Sequence, residues 1–328
     1  MGPTPHSLPV HRIAFRTWCG SALLPLAFLT ACTAHGQTIA DPPEHKVIGL
    51  EPIDLCEHAP WHLVFADEFN GGTLDADKWV TFFPFCEVAD QCWSSRSGFP
   101  TSIALDADSN VTLSGDGTLR ILTRQGPLAT WYDHSSVYTT GVIFSRQKFK
   151  RGRFESRIKL PRSTARYLWP AFWLFGGGPR CSEIDILEIL KRPTNTFHYA
   201  LHRYNYECDE ILAHDQGNIN VKELSEDFHV FRLDWDTWFI DWSIDGELIY
   251  RACRVYDTAG RPVSGCNVPG GIYVQNQAFP GQDHELSLII SSGLGSGPLV
   301  DALGNGPPIP DLPAVMEVDY VRVYERGP

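Results

Sequence analysis

The stretch Ser182-Glu183-Ile184-Asp185-Ile186-Leu187-Glu188-Ile189 interleaves acidic and apolar side chains, and this pattern predicts a β-strand. Successive side chains of a strand point to opposite faces, which places Glu183 and Asp185 on one face. Strict alternation would turn Glu188 to the other face. One extra residue in the strand, a β-bulge, would bring Glu188 back beside the other two acids, and bulges often occur next to active sites.

Three carboxyl groups on one face of a strand repel one another, and this repulsion raises their pKa values. Glycoside hydrolysis uses two carboxyl groups in different states, one ionised as the nucleophile and one protonated as the acid. The alternative interpretation is a half-buried strand with a solvated acidic face. The stretch by itself fits both.

Short apolar and aromatic runs recur along the chain, and no long stretch has a helical period. Asp245-Gly246 lies between two such runs and is typical of a two-residue hairpin turn. Many closely spaced strands predict an all-β sandwich or jelly roll. The predicted strands are His62–Phe69, Thr118–Arg124, Val137–Ser145, Arg153–Leu160, Trp169–Phe175, Thr196–Tyr204, Phe228–Trp235, Trp238–Ile244, Glu247–Ala252, Glu285–Ser291 and Val315–Tyr324.

Several motifs around the acidic stretch resemble glycoside hydrolase family sixteen, the laminarinase, lichenase, agarase and carrageenase group. They are Tyr138-Thr139-Thr140-Gly141, the run 152–161, the run LWPAFWL at 168–174, and the E-x-D-x-x-E pattern at 183–188. The resemblance extends from about His62 to Glu325. It implies a concanavalin-like jelly roll of two curved antiparallel sheets with a concave substrate cleft.

The resemblance also implies a mechanism, a retaining double displacement. Glu183 would attack the anomeric carbon, and Glu188 would protonate the leaving oxygen and then act as base. Asp185 would hold the geometry of Glu183 and tune the protonation of the pair. Retention requires carboxyl groups about 5–5.5 Å apart, which suits two side chains that a bulge brings to one strand face.

Alternation on the neighbouring predicted strands suggests which side chains line the cleft. Three sets would each share a face: Trp169, Ala171, Trp173 and Phe175; His198, Ala200 and His202; Arg153, Glu155 and Arg157. If these faces join that of Glu183, they form an acidic groove walled by tryptophan.

From these sets we predict Glu155, Arg157, Trp169, Trp173 and His202 as substrate-binding residues. The resemblance implies that Glu155 and Arg157 lie near bound sugar and that the tryptophans shape the cleft. Alternatives remain for each set. The charged side chains would equally suit a solvated ion-pair ladder, one tryptophan would suit the core, and the histidines would suit structural hydrogen bonds.

Composition restricts the class of partner. The chain has 328 residues and a formal net charge of −12, which argues against nucleic acid because nucleic-acid binding needs a basic surface. It contains 10 Trp, 11 Tyr and 18 Phe, a content that suits sugar binding and would also suit a well-packed β core. The family resemblance implies a polysaccharide substrate, and we predict a monomer.

The N-terminus predicts an export signal. Arg12 and Arg16 precede an apolar run that is too short to span a bilayer, and the run ends in Leu29-Thr30-Ala31-Cys32, which resembles a bacterial lipobox. We predict a lipoprotein signal peptide at 1–31, a tether at 32–58 and the hydrolase domain at 59–328. Cys32 would carry the lipid on the outer membrane or cell surface, and it would be the chain's only contact with a membrane. The alternative is an ordinary signal peptide and a secreted protein.

Seven cysteines follow Cys32 in the sequence, and they suit disulfide bonds in an exported protein. Close spacing favours the pairs Cys86–Cys92 and Cys253–Cys266, with Cys181–Cys208 as a less favoured third pair and Cys56 left over. The resemblance implies no cofactor for catalysis. It implies a structural calcium ion away from the cleft, for which Asp319 matches the usual side-chain ligand.

The substrate is predicted from the resemblance alone. The run 168–174 is most like the β-1,3-glucanase branch, which implies a laminarin-type glucan. The segments 82–103 and 285–293 depart from the patterns usual in that branch. A marine galactan of the agarose or carrageenan type is therefore an alternative substrate. A non-catalytic glycan-binding protein is an alternative class, although all three acids are present.

Overall fold

The computed structural model describes residues 59–84, 104–131, 134–162, 168–176, 181–190, 194–206, 208, 210–257, 259, 261, 273–295 and 311–327. The backbone divides into two units, Met1–Ile48 and Gly49–Pro328, and all described residues belong to the second. The predicted signal peptide, the lipidated Cys32 and the tether lie outside the described residues and stay predictions. Within the described ranges, no helix is both long and apolar enough to cross a membrane.

The described residues form nineteen strands and one short 3₁₀ helix, Asp108–Asn110. The strands are β1 (Trp61–Asp67), β2 (Trp79–Val80), β3 (Leu105–Asp106), β4 (Val111–Leu113), β5 (Leu119–Trp131), β6 (His134–Thr140), β7 (Val142–Phe149), β8 (Gly152–Lys159), β9 (Leu168–Gly176), β10 (Ser182–Glu188), β11 (Thr196–Tyr204), β12 (Ile211–Asn220), β13 (His229–Trp235), β14 (Phe239–Ile244), β15 (Glu247–Cys253), β16 (Val255–Asp257), β17 (Tyr273–Gln275), β18 (Leu286–Leu294) and β19 (Ala314–Arg326).

These strands pair into two large sheets and a small ribbon. The ten-stranded sheet has the order β15-β14-β13-β8-β19-β5-β6-β3, with β1 also pairing with β19 and β4 with β5. The seven-stranded sheet has the order β12-β11-β10-β9-β18-β7-β2, and β16 pairs with β17. The pairings are antiparallel except for the short parallel pair of β3 and β6. The prediction of an all-β jelly roll is confirmed.

The main core is made of buried apolar side chains from both large sheets, in the manner of a sandwich in which each sheet turns one face inward. Strand β10 contributes Ile184, Ile186 and Leu187, each at most 1% exposed. The ten-stranded sheet contributes Phe154 and Trp242 to the same cluster. The catalytic candidates therefore project from the opposite face of β10, away from this core.

Most predicted strands are present, and two differences have physical causes. The run 137–145 is two strands, β6 and β7, that join at Gly141 and belong to different sheets. Strand β12 was not predicted, because it lies at a sheet edge and its exposed positions from His214 to Asn220 carry polar side chains. The Asp245-Gly246 turn is confirmed: both residues have positive φ, 51° and 85°, as a type I′ hairpin turn requires.

One predicted disulfide forms and another is wrong. Cys181 and Cys208 are bonded, with their Cα atoms 5.4 Å apart. Cys253 instead carries a free thiol, buried at the end of β15, so the predicted Cys253–Cys266 bond does not form. Closeness in sequence favoured this pair, but it does not fix the distance between two Cα atoms. Cys56, Cys86, Cys92 and Cys266 lie outside the described residues.

Candidate active site

Strand β10 contains the predicted bulge. Against β11, Asp185 pairs with Ala200 and Glu188 with His198, so three steps along β10 match two steps along β11. Against β9, the register shifts between Asp185 and Leu187, where Ile186 is the extra residue. The extra residue returns Glu188 to the face of Glu183 and Asp185.

This face of the seven-stranded sheet lines a cavity of about 500 Å³. All three acids of β10 line it, and they are nearly buried, at 8% exposure for Glu183, 4% for Asp185 and 8% for Glu188. The other lining residues described are Phe83, Asp106, Thr140, Trp169, Ala171, Trp173, Leu190, His198, His202, Tyr204, Ile211, His214, Gln216, Ser291 and Gly293. The cavity thus combines buried carboxyl groups with aromatic walls.

Glu183 and Glu188 have different hydrogen-bond donors. The Tyr204 hydroxyl group donates to Oε2 of Glu183. The Trp169 indole N–H donates to Oε1 of Glu188 at 2.6 Å. On the other side of Glu188, Nε2 of His198 lies 3.6 Å from Oε2. Each glutamate therefore has one carboxyl oxygen fixed by a neutral donor.

Asp185 lies between the two glutamates and is held through its main chain. The Trp242 indole N–H, from strand β14 of the opposite sheet, donates to the Asp185 carbonyl oxygen at 2.8 Å. Nε2 of His202 lies 3.6 Å from Oδ2 of Asp185. Burial lowers the pKa of His202 to about 4, so the imidazole stays neutral at physiological pH. The bulge is thus held by a hydrogen bond that crosses the core.

Burial raises the pKa of all three acids, but by different amounts. For Glu183, burial raises the pKa to about 7, and the hydrogen bond from Tyr204 opposes the increase. For Glu188, burial and the charge of Glu183 raise it to about 8. Burial and both glutamate charges raise the pKa of Asp185 well above its usual range. Glu183 is therefore the easier of the two glutamates to ionise, and Glu188 keeps its proton to higher pH.

The model of the family "Glycosyl hydrolases family 16" matches residues 101–283, more than half of the chain. The chain belongs to glycosyl hydrolase family 16. It is thus a glycoside hydrolase.

Several relatives of this family 16 hydrolase have names that describe activity on glucans. The chain is 28% identical over 284 residues to glucan endo-1,3-beta-glucosidase A1 of Niallia circulans, in an alignment that covers 82% of this chain and 38% of that protein. It is 28% identical over 291 residues to a beta-glucanase of Rhodothermus marinus, covering 85% of this chain and 90% of that one. Among solved structures, the catalytic domain of an endo-1,3-beta-glucanase (laminarinase) from Thermotoga petrophila RKU-1 is 25% identical and matches 82% of this chain and all of that one with a TM-score of 0.62.

Three of the five predicted substrate-binding residues of this family 16 hydrolase line the cavity: Trp169, Trp173 and His202. Trp173 is only 4% exposed, and its indole N–H donates to Oγ of Ser291 at 3.3 Å. Trp169 is the more accessible of the two tryptophans. Their placement agrees with the alternation of side chains along β9.

Glu155 and Arg157 do not reach the cavity, which corrects the prediction for both residues. They lie on β8, in the ten-stranded sheet, and their side chains point away from the core face that Phe154 and Ile158 occupy. Glu155 accepts a hydrogen bond from the Tyr320 hydroxyl group at 3.0 Å, and Arg157 forms a 2.7 Å ion pair with Asp319. Alternation predicts which side chains share a strand face, but it does not predict which sheet the strand joins.

Asp319 is the predicted side-chain ligand of a structural calcium ion. Its carboxylate already pairs with the Arg157 guanidinium group, and both side chains are 39% exposed. Within the described ranges, no group of three or more His, Cys, Asp or Glu side chains is arranged to hold a metal ion. The side chains present at Asp319 fit a calcium site poorly, so calcium binding stays a prediction and no step below depends on it.

Sequence reasoning missed several cavity residues. Tyr204 was included in a predicted strand, but no role was assigned to it. His214 and Gln216 lie on the unpredicted edge strand β12, opposite His202 and Ala200 of β11. The period-two alternation that selected His202 extends to Tyr204, so a contact between Tyr204 and the acids could have been predicted.

Proposed function

We propose that this protein is a retaining endo-glycosidase that hydrolyses a β-linked polysaccharide, with Glu183 as nucleophile and Glu188 as general acid and base. The observation that carries the proposal is the bulge in β10, which turns both glutamates into one aromatic-walled cavity. Their different donors and different pKa values suit the two roles.

In the first step of the proposed reaction, ionised Glu183 attacks the anomeric carbon while protonated Glu188 donates its proton to the leaving oxygen. The Trp169 N–H orients Glu188 for this transfer. In the second step, Glu188 removes a proton from water, and the water releases the sugar from Glu183. Burial and the charges of both glutamates raise the pKa of Asp185 well above its ordinary range, which disfavours a third negative charge in the site.

We further propose a neutral β-1,3-glucan of the laminarin type as substrate. The names of the relatives support this choice. The cavity supports it independently, because none of its described lining residues is lysine or arginine. A sulfated galactan would bring further negative charge beside Asp106 and the acids of β10, without a cationic side chain among the described lining residues to balance it.

The test incubates the purified protein with laminarin, lichenan, agarose and κ-carrageenan and follows reducing ends together with the anomer first formed, by proton NMR. We expect cleavage of laminarin and the β-anomer as first product. An α-anomer formed first would reject the double displacement. Cleavage of agarose or carrageenan but not laminarin would identify a galactan as the substrate. Binding without any cleavage would support the glycan-binding class.

Variants test the assigned roles. Glu183→Gln and Glu188→Gln should each lose almost all activity while the circular dichroism spectrum is kept. Glu155→Gln is the matched control, because Glu155 lies on the other sheet and a glutamine can still accept the Tyr320 hydrogen bond. We expect Glu155→Gln to retain wild-type kcat/KM. Wild-type activity in Glu183→Gln would reject Glu183 as the nucleophile.

A further inference from the structure

Tyr204 contacts the proposed nucleophile directly. It is the last residue of β11, and its hydroxyl group donates a hydrogen bond to Oε2 of Glu183. We propose that Tyr204 is a positioning residue, that its hydroxyl group fixes the Glu183 carboxylate and favours the charged form, and that the Cys181–Cys208 disulfide holds the phenol in place. This inference rests on the proposed role of Glu183.

The chemistry of a buried phenol suits this task. Glu183 is nearly buried, and burial disfavours the ionised carboxylate that a nucleophilic attack requires. A hydrogen bond to the charged form opposes this effect. Burial and the charge of Glu183 raise the pKa of Tyr204 above its ordinary value, so the phenol keeps its proton and remains a donor over the working pH range.

None of the described residues that line the cavity is lysine or arginine, so no permanently charged cation shares this task. The titratable groups that share the cavity with Glu183 are Asp106 of β3, Asp185 and Glu188 of β10, His198, His202 and Tyr204 of β11, and His214 of β12. The acids raise rather than lower one another's pKa, and burial keeps His202 neutral. The hydroxyl group of Tyr204 is therefore the contact that counteracts the burial of Glu183.

The disulfide lies where Glu183 and Tyr204 meet. Cys181 immediately precedes β10, and Cys208 lies four residues after Tyr204, so the bond joins the ends of two paired strands. The Tyr204 backbone N–H donates to the Cys181 carbonyl oxygen at 2.9 Å, beyond the last register pair of the two strands. Strand ends open more readily than strand centres. The covalent bond keeps this end closed, and with it the distance between the phenol and the carboxylate.

Packing sets the direction of the phenol. The Tyr204 ring packs edge-on against Phe175 of β9, with the ring centroids 5.9 Å apart. It also lies near the His202 ring, at 6.2 Å. Tyr204→Phe keeps both ring contacts and removes only the donor, which makes it a clean test of the hydroxyl group.

The first experiment measures ionisation of Glu183 without substrate. Full-length protein with 13C-labelled glutamate carboxyl groups is titrated by NMR, and the signal that is lost in Glu183→Gln identifies Glu183. We expect Tyr204→Phe to raise the Glu183 midpoint by about one pH unit, as expected for loss of a hydrogen bond to a charged group. Tyr320→Phe is the matched control, since it removes a tyrosine–glutamate hydrogen bond on the other sheet. It should leave the Glu183 midpoint unchanged.

The second experiment measures activity against pH. For Tyr204→Phe we expect the acidic limb of kcat/KM to move to higher pH by a similar amount, with kcat falling more than KM changes. The double variant Cys181→Ser/Cys208→Ser should move the limb in the same direction, because the strand ends can then separate. Tyr320→Phe should retain the wild-type profile.

The outcomes separate this inference from the proposed function. An unchanged Glu183 midpoint in Tyr204→Phe would overturn the role of Tyr204, even if Glu183 proves to be the nucleophile. If the acidic limb of kcat/KM is unchanged in Cys181→Ser/Cys208→Ser, the disulfide does not hold Tyr204 in place. A raised midpoint without cleavage of any glycan would retain the Tyr204–Glu183 contact and reject the enzymatic proposal.

Discussion

Replacing Glu188 with glutamine should make the fold more stable at neutral and alkaline pH, although it removes the proposed acid. Glutamine has the shape of a protonated glutamate, and its amide oxygen can still accept the hydrogen bond from Trp169. It differs in having no charge to bury. The variant therefore shows by how much the buried carboxyl group lowers the free energy of unfolding.

The size of the effect follows from the pKa of Glu188. Burial and the charge of Glu183 raise it from 4.5 to about 8, although the hydrogen bond from Trp169 opposes the increase. Because the folded-state value is the higher one, wild-type stability falls as pH rises from about 4.5 to about 8. Each pKa unit corresponds to about 1.4 kcal/mol, so the variant should gain about 3 kcal/mol at pH 7 and about 4 kcal/mol at pH 8. Below pH 4.5 the gain should vanish.

Urea unfolding at several pH values between 4 and 8.5 measures this difference directly. At pH 7 the gain corresponds to a rise in Tm of roughly 6–12 °C. Glu247→Gln is the matched control, since Glu247 is exposed at the start of β15 and its substitution should change stability by less than about 0.5 kcal/mol at every pH. Equal pH dependence in wild type and Glu188→Gln would refute the reasoning, because it would mean that the Glu188 charge is solvated in the folded state.

Two further substitutions test the hydrogen bonds around the bulge. Trp242→Phe leaves the buried Asp185 carbonyl oxygen without its donor, so it should cost roughly 1–3 kcal/mol in urea unfolding and lower kcat. Trp235→Phe is its control, because the buried Trp235 indole N–H has no hydrogen-bond partner among the described residues, and an equal loss in both variants would contradict a role for the Trp242 bond. Trp169→Phe removes the donor that lowers the pKa of Glu188, so the basic limb of kcat/KM should move up by about one pH unit. An unmoved limb would show that the indole N–H does not tune Glu188.

The sequence was sufficient to predict the bulge, since three acids at positions 183, 185 and 188 fit one strand face only if the strand gains a residue. Alternation also predicted correctly that Trp169, Trp173 and His202 share the face of the acids. These successes share a cause. Each depends on side-chain direction within one strand or between strands that are close in sequence.

The failures concern contacts between distant parts of the chain. Glu155 and Arg157 have the expected alternation, but β8 pairs with β13 and β19 in the other sheet. Their ion pair and hydrogen bond with Asp319 and Tyr320 depend on that long-range pairing. Local sequence patterns do not determine which strands pair with each other in a sheet.

The hydrogen bond from Trp242 to Asp185 affects how such an enzyme can evolve. A residue of β14, with no access to any sugar, helps to set the local shape of the strand on which both glutamates stand. Inherited changes beneath β10 can therefore alter turnover while every sugar contact stays intact. A mutagenesis library restricted to the cleft surface would not sample them.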